Sequence, residues 1–243
     1  MSLLQKIFRK RRQRLRPCCT AVIAAAGSSA RYGGENKLLA PLDGIPVLAR
    51  TLLAVDRAES IDEIVIAAQE GELLRYAELC KTYGITKPVK VVPGGATRTE
   101  SVLRAALEAS PEAALLAVQD GARPLVTSEL IDRVVETART SFAAAPAVPV
   151  TDTIKVARDG IVESTPERST LFAVQTPQVF DAGLLKAALQ SALAAGAAVT
   201  DDCAAVERFG KEIRLTEGDP ENIKITTPLD LIVAEVILQR RGE

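Results

Sequence analysis

The sequence predicts a doubly wound, mainly parallel α/β sheet with a projecting β-arm, and three observations lead there. Short apolar runs alternate with amphipathic stretches along the chain, the signature of strands joined by crossover helices. Apolar residues make up 47% of the chain and aromatics only 3%, so the core has to be built from Ala, Val, Leu and Ile. The alternation breaks once, between Thr151 and Gln175, where a β-like pattern surrounds an expected hairpin turn at Asp159-Gly160. A chain of 243 residues then divides into a basic extension over 1–19 and one α/β domain over 20–240, with the arm at about 151–175. An ordinary surface hairpin is the alternative for the arm.

Residues 20–26 (TAVIAAA) end at Gly27 and predict a buried strand feeding a loop that runs to Lys37. Pro46 opens a helical pattern to about Ala58, with Val47, Leu48, Leu52, Leu53 and Val55 on one broad face. A strand at 63–68, a helix at 72–82 and a strand at 89–92 follow. Thr97 and Glu100 stand at capping-box spacing, so a helix is expected from Arg98 to about Ala109. Residues 114–119 are another buried strand ending at Asp120; a helix over 128–140 and a strand over 142–148 precede the arm. Helices at 182–195 and 201–209, a strand at 212–216 and a last helix after Thr227-Pro228 complete the domain.

The net charge of −1 argues against a general nucleic-acid binder. Residues 1–16 nonetheless hold seven basic residues (Lys6, Arg9, Lys10, Arg11, Arg12, Arg14 and Arg16) and no acidic one. A solvated tail is expected there, a membrane-surface or RNA contact being the alternative. With no apolar leader and no long apolar run, no membrane span is expected. Cys18, Cys19, Cys80 and Cys203 lack metal-site spacing and read as reduced cytoplasmic thiols. The chain has no histidine, which removes the commonest general base and every His-assisted triad. Its chemistry must run on Lys, Arg, Asp, Ser, Thr and backbone amides, with or without a bound metal.

Three loops are candidates for that chemistry. In Ala25-Ala26-Gly27-Ser28-Ser29-Ala30-Arg31, small residues let backbone N–H groups approach a phosphate, and Arg31 and Lys37 can neutralise a polyphosphate. The loop matches neither G-x-G-x-x-G nor G-x-x-x-x-G-K-[ST]. Asp120 closes a buried strand, where open α/β sheets place ligands, and its carboxylate can hold Mg²⁺ between phosphates while Arg123 binds a second anion. A plain Asp-Gly turn is the bland alternative. Residues 219–226 (DPENIKIT) bring acids, Asn222 and Lys224 together before the last helix.

In order and spacing, AAAGSSARYGGENKLL, VVPGGATRTESV, DGARP, DTIK, FAVQTPQ, TDD and GDPENIKIT resemble the 2-C-methyl-D-erythritol 4-phosphate cytidylyltransferase family, from about Thr20 to Leu238. The resemblance implies a Rossmann-like nucleotidyltransferase fold. It implies that Ala25, Ala26, Gly27 and Ser29 line the nucleotide loop, and that Arg31 and Lys37 hold the triphosphate. By the same resemblance, Gly94, Gly95, Arg98 and Ser101 sit by the cytosine and ribose, Asp120 binds Mg²⁺, and Lys224 lies across the reaction centre. Arg123 helps hold the sugar phosphate, as do Thr153 and Arg168 from the arm of a partner subunit in a homodimer. Either Asp219 or Glu221 is the acidic residue of the last motif. Two departures stand out: Gln119 replaces the His that many relatives have, and Asp202 stands where some have Glu. The expected substrates are CTP and a phosphorylated polyol. Ribitol 5-phosphate is the rival acceptor, and a non-catalytic nucleotide sensor or a dehydrogenase are rival classes.

Overall fold

The computed structural model describes residues 18–27, 32 and 36–242. Its main sheet has the order β10-β7-β11-β6-β1-β4-β5, with β12 paired to β7. Strands β1 (Cys18–Ala25), β4 (Glu63–Ala68), β5 (Val89–Pro93) and β6 (Ala113–Asp120) run parallel. Next to β6 lies an antiparallel insert, β11 (Gln178–Asp181), which also pairs antiparallel with β7 (Ala143–Pro149). Beyond it, β12 (Arg214–Glu217) lies parallel to β7 and β10 (Phe172–Val174) antiparallel to it. The sheet is therefore mixed, mostly parallel in the half that carries the first loop and Asp120.

Because side chains alternate across a strand, the apolar runs supply both faces of the sheet. Ala21, Ile23, Ile64, Ile66, Leu115 and Ala117 face one core, against helices α1 (Val47–Arg57), α2 (Leu73–Thr82), α4 (Ser128–Ser141) and α7 (Pro228–Arg241). Val22, Val65, Leu116 and Val118 face the other, against α3 (Arg98–Leu107), α5 (Ala182–Ala194) and α6 (Asp202–Arg208). Each fully buried Ile, Leu or Val on these faces contributes about 1.5–3 kcal/mol. The helices that follow β1, β4 and β6 leave the strands' carboxyl ends open at one rim.

Helix starts follow the chemistry of their caps. Thr97 accepts from the Glu100 N–H at α3, as the spacing predicts, but Glu100 turns to the Ala96 N–H (2.8 Å) instead of closing the box. Thr227 and Asp230 form a complete capping box at α7.

The structure differs from the sequence expectation at several places. The first strand begins at Cys18, so Cys18 and Cys19, assigned above to the extension, belong to the sheet. Pro46 caps α1 rather than opening it, because it ends a small hairpin of β2 (Pro41–Leu42) and β3 (Ile45–Pro46) turned at Asp43 (φ 49°) and Gly44 (φ 74°). In the arm, Asp159 (φ 51°) and Gly160 (φ 79°) do turn a hairpin, of β8 (Val156–Arg158) and β9 (Ile161–Ser164). The arm's last residues rejoin the main sheet as β10. From there to β11, nine residues (Phe172–Phe180) face seven of β7 (Ala143–Pro149), so the segment between them bulges. The Thr176-Pro177 peptide in that bulge is cis.

Candidate active site

A cleft of about 380 Å³ opens at the rim, lined by the end of β1 with Ala26 and Gly27, by Lys37 and Leu38, by 95–98 and Ser101 at the start of α3, and by Asp120, Ala122 and Lys224. Its floor is set by close backbone approach: Gly94 donates to the Ala68 carbonyl at 2.7 Å, and a Cβ on Gly94 would lie 2.5 Å from the Ala26 Cβ and 2.9 Å from the Ser101 Oγ. Gly95 N–H in turn donates to Ser101 Oγ at 2.9 Å.

Asp120 is the electrostatic centre. Its Oδ2 lies 2.8 Å from Lys224 Nζ and 3.5 Å from Arg123 Nε, and its Oδ1 lies 3.6 Å from Arg98 Nη2. Burial works to raise this carboxyl, but Lys224, Arg98 and Arg123 together outweigh it and hold it below the ordinary Asp value. Its backbone N–H donates to Thr176 Oγ1 at 3.1 Å, so the bulge between β10 and β11 supports the end of β6.

Arg98 is shared with a second carboxylate, Asp202, whose Oδ2 lies 2.8 Å away. Asp202 is fully buried, and its Oδ1 has no hydrogen-bond partner among the described residues. Burial pushes its carboxyl up and Arg98 only partly offsets this. The Gln178 amide fixes the approach by accepting from the Asp202 and Cys203 N–H groups, at 3.1 and 3.0 Å.

Two loops close the side of the cleft. Lys37 Nζ donates to the Ile225 carbonyl at 2.7 Å, Ile225 N–H donates to the Ala122 carbonyl at 2.8 Å, and Arg123 Nη1 donates to the Asn222 carbonyl at 2.6 Å. Asn36 Nδ2 donates to the buried Tyr76 hydroxyl at 3.0 Å and its Oδ1 accepts from Leu38 N–H at 3.1 Å, which anchors the loop end beside Lys37.

Of the residues singled out in the sequence, Ala25, Ala26, Gly27, Lys37, Gly95, Arg98, Ser101, Asp120 and Lys224 line this one cleft, and Gly94 and Arg123 lie directly behind it. Ser29 and Arg31 lie outside the described residues, as does the basic segment 1–17. Thr153 and Arg168 are exposed on the arm and do not line the cleft; Arg168 Nη1 donates to the Thr151 carbonyl at 3.0 Å. Asp219 and Glu221 both turn away from the cleft to Arg241. Three contributors escaped the sequence reading. The Asp202 pairing to Arg98 had a weak signal in the TDD stretch; the Thr176 and Arg241 contacts had none.

The arrangement is suited to polyanions: three cations surround one carboxylate at a strand end, beside a loop of small residues. Among the described residues no three acidic, cysteine or histidine side chains gather into a metal cage. A single hard carboxylate oxygen at such a rim still fits Mg²⁺, which keeps several waters and is held through one or two carboxylates plus substrate phosphates.

The family described as 2-C-methyl-D-erythritol 4-phosphate cytidylyltransferase (IspD) matches residues 19–240. The enzyme of that name from Bacillus cytotoxicus is 44% identical over 225 residues, covering 91% of this chain and 99% of the relative. The one from Synechococcus elongatus is 45% identical over 222 residues, covering 90% and 96%. The crystal structure of 4-diphosphocytidyl-2C-methyl-D-erythritol synthase from Anaerococcus prevotii superposes with a TM-score of 0.83 at 32% identity, covering 92% of this chain and 96% of that one.

Proposed function

The chain belongs to the 2-C-methyl-D-erythritol 4-phosphate cytidylyltransferase family, and from that premise we propose that its cleft transfers CMP from CTP to 2-C-methyl-D-erythritol 4-phosphate. The products are CDP-methylerythritol and pyrophosphate, a step of non-mevalonate isoprenoid biosynthesis. One observation carries the assignment to this cleft: Arg98, Arg123 and Lys224 converge on Asp120, with Lys37 lining the same cleft beside a small-residue loop and no histidine in the chain.

The acceptor phosphate has a second pKa near 6 and is largely dianionic at neutral pH, so its own oxygen is the nucleophile and no protein base is needed. That oxygen attacks the α-phosphorus of CTP, the α–β phosphoanhydride bond breaks, and its electron pair leaves on pyrophosphate. Lys37 and Lys224 meet the charge that develops on the α-phosphoryl oxygens and the leaving group. Arg31 belongs to the same set by its place in the loop sequence. Gly94, Gly95 and Ser101 hold the cytidine side, with Arg98 braced by Asp202. Arg123, held behind Asp120, is assigned to the acceptor phosphate by the family resemblance.

Asp120 would hold Mg²⁺, which when bound draws charge from the triphosphate oxygens. Lys224 is the most exposed of the three cations around Asp120 and turns most readily from the carboxylate to phosphate. The enzyme works as a homodimer in the cytoplasm on this reading. Ile154, Val156, Ile161 and Val162 are exposed on the arm, a hairpin too small to be stable alone, which favours its packing on a second copy. The four cysteines are free, which suits a reducing compartment. Among the described residues no helix is long and apolar enough to cross a membrane.

Pyrophosphate release measured with CTP, UTP, ATP and GTP, each with methylerythritol phosphate and with ribitol 5-phosphate, tests the reading. Release is expected with CTP and methylerythritol phosphate; equal or faster release with ribitol 5-phosphate, or none with any pair, overturns it.

A further inference from the structure

Segment 219–226 and helix α7 form one unit. At one end, Asp230 Oδ2 in the first turn of α7 accepts from Thr226 N–H (2.8 Å), Thr227 N–H (2.7 Å) and the Thr227 hydroxyl (3.0 Å). At the other end, Arg240 and Arg241 in the last turn meet Glu221, and Arg241 also meets Asp219. The helix has 14 residues, hence a length of about 21 Å. The segment turns at its start, where Asn222 N–H donates to the Asp219 carbonyl at 2.9 Å and Ile223 N–H to the Glu221 carbonyl at 2.7 Å, and its two ends meet opposite ends of the helix. Lys224 therefore rides on a splint pinned at both ends.

Arg241 does more than pin that segment. Its Nε donates to Glu221 Oε2 at 2.7 Å and its Nη2 to Asp219 Oδ2 at 3.2 Å, both on the segment that carries Lys224. Its Nη1 donates to the Leu125 carbonyl at 3.2 Å, in the loop that follows Asp120. An arginine serving only its own helix end would bond the last carbonyls of that helix. Here all three acceptors lie off α7, and the side chain is only 17% exposed. The same two loops are joined on the cleft side by Ile225 N–H to the Ala122 carbonyl and by Arg123 to the Asn222 carbonyl.

We infer that Arg241 is a positioning residue for the reaction: its three-way fork fixes the loop that carries Lys224 against the loop that carries Asp120. The inference rests on the cytidylyl transfer proposed above, since Arg241 touches no reacting atom and acts through Lys224. The fork reaches its three acceptors from three separate nitrogens, Nε, Nη1 and Nη2, a spread that the single nitrogen of an ammonium does not reproduce.

The test compares Arg241→Ala and Arg241→Lys in the full chain and in a Lys224→Ala background. In the otherwise intact enzyme both should lower kcat for pyrophosphate release by about tenfold, whereas in the Lys224→Ala background the further loss should stay under about twofold, because coupled residues are not additive. Equal losses in the two backgrounds, or an unchanged kcat for Arg241→Ala, overturn the inference. Amide exchange gives a readout independent of turnover. In Arg241→Ala the Ile225 N–H should exchange about tenfold faster while Ala234 and Leu238 keep their rates. Equal acceleration along α7 would mark a general helix-stabilising role instead. Failure of the parent enzyme to release pyrophosphate would sink the proposed reaction, and the exchange comparison would still decide the role of Arg241.

Discussion

Lys224 Nζ lies 2.8 Å from Oδ2 of Asp120, so an ion pair ties the last loop before α7 to the end of β6. Arg98 and Arg123 stand on the same carboxylate. Asp120→Asn keeps the shape and removes the charge that would hold Mg²⁺. The magnesium concentration for half-maximal rate should rise by about tenfold or more, since an amide is a poor ligand for this hard cation. An unchanged magnesium titration would place the metal elsewhere.

Lys37 is held against the Ile225 carbonyl at the cleft wall. Lys37→Ala should raise the barrier by about 2.7–4 kcal/mol, the scale for losing one preorganised donor to developing charge. Thermal unfolding should move little by comparison. Near-normal kcat at saturating CTP would remove Lys37 from the transition state.

The two carboxylates on Arg98 pull stability in opposite directions with pH. Asp120 sits below its unfolded value near 3.9, so its contribution is present above that value and is lost as pH falls through the depressed one. Asp202 is raised, mainly by burial, so the folded state binds its proton more tightly than the unfolded chain does. Relative to Asp202→Asn, the parent protein should therefore lose stability as pH rises from about 4 towards the raised Asp202 value. Urea midpoints across that range read the difference directly. A constant difference would mean that Asp202 titrates alike in both states.

Asp230 accepts three hydrogen bonds at the start of α7, and Asp230→Ala should cost about 1 kcal/mol, as loss of a helix cap does. Burial opposes its ionised form, but the bonds from Thr227 and Thr226 hold its carboxyl below the ordinary value. The contribution should persist at neutral pH and disappear as pH falls through the depressed value. Chemical denaturation of the two proteins across a pH series descending from 7 measures both halves of this expectation.

In the proposed homodimer, the arm residues Thr153 and Arg168 of the second subunit would complete the site. Arg168→Ala and Lys37→Ala chains, each nearly inactive alone, should regain activity when mixed, because one site in each mixed dimer keeps both residues. Verified mixed dimers without activity, alongside active parent chains treated identically, would refute the shared site.

The parallel strands and the longer helices were legible because their apolar periods are long and unambiguous, as in TAVIAAA and 128–140. The insert β11 was not: QVFD is four residues between Pro177 and Ala182, too short to show a period, and only its pairing with β6 and β7 makes it a strand. Asp43-Gly44 did carry a hairpin signal, which two-residue strands on either side made easy to pass over. The site was legible wherever a polar residue followed an apolar strand, as at Asp120. Choosing between Asp219 and Glu221 was beyond the sequence because both answer to one arginine more than fifteen residues on. Nothing local to a helix-end Arg distinguishes such a brace from a solvated cation.

The bulge that sets nine residues against seven also joins the arm to the cleft. Thr176, which takes the Asp120 N–H, lies only two residues beyond β10, where the arm re-enters the sheet. Whatever packs onto the arm and shifts residue 176 shifts Asp120 with it. Thermodynamic reciprocity then requires that a ligand held at Asp120 change the arm's affinity for that partner by the same factor. With a second copy of the chain as the partner, nucleotide affinity becomes a function of protein concentration.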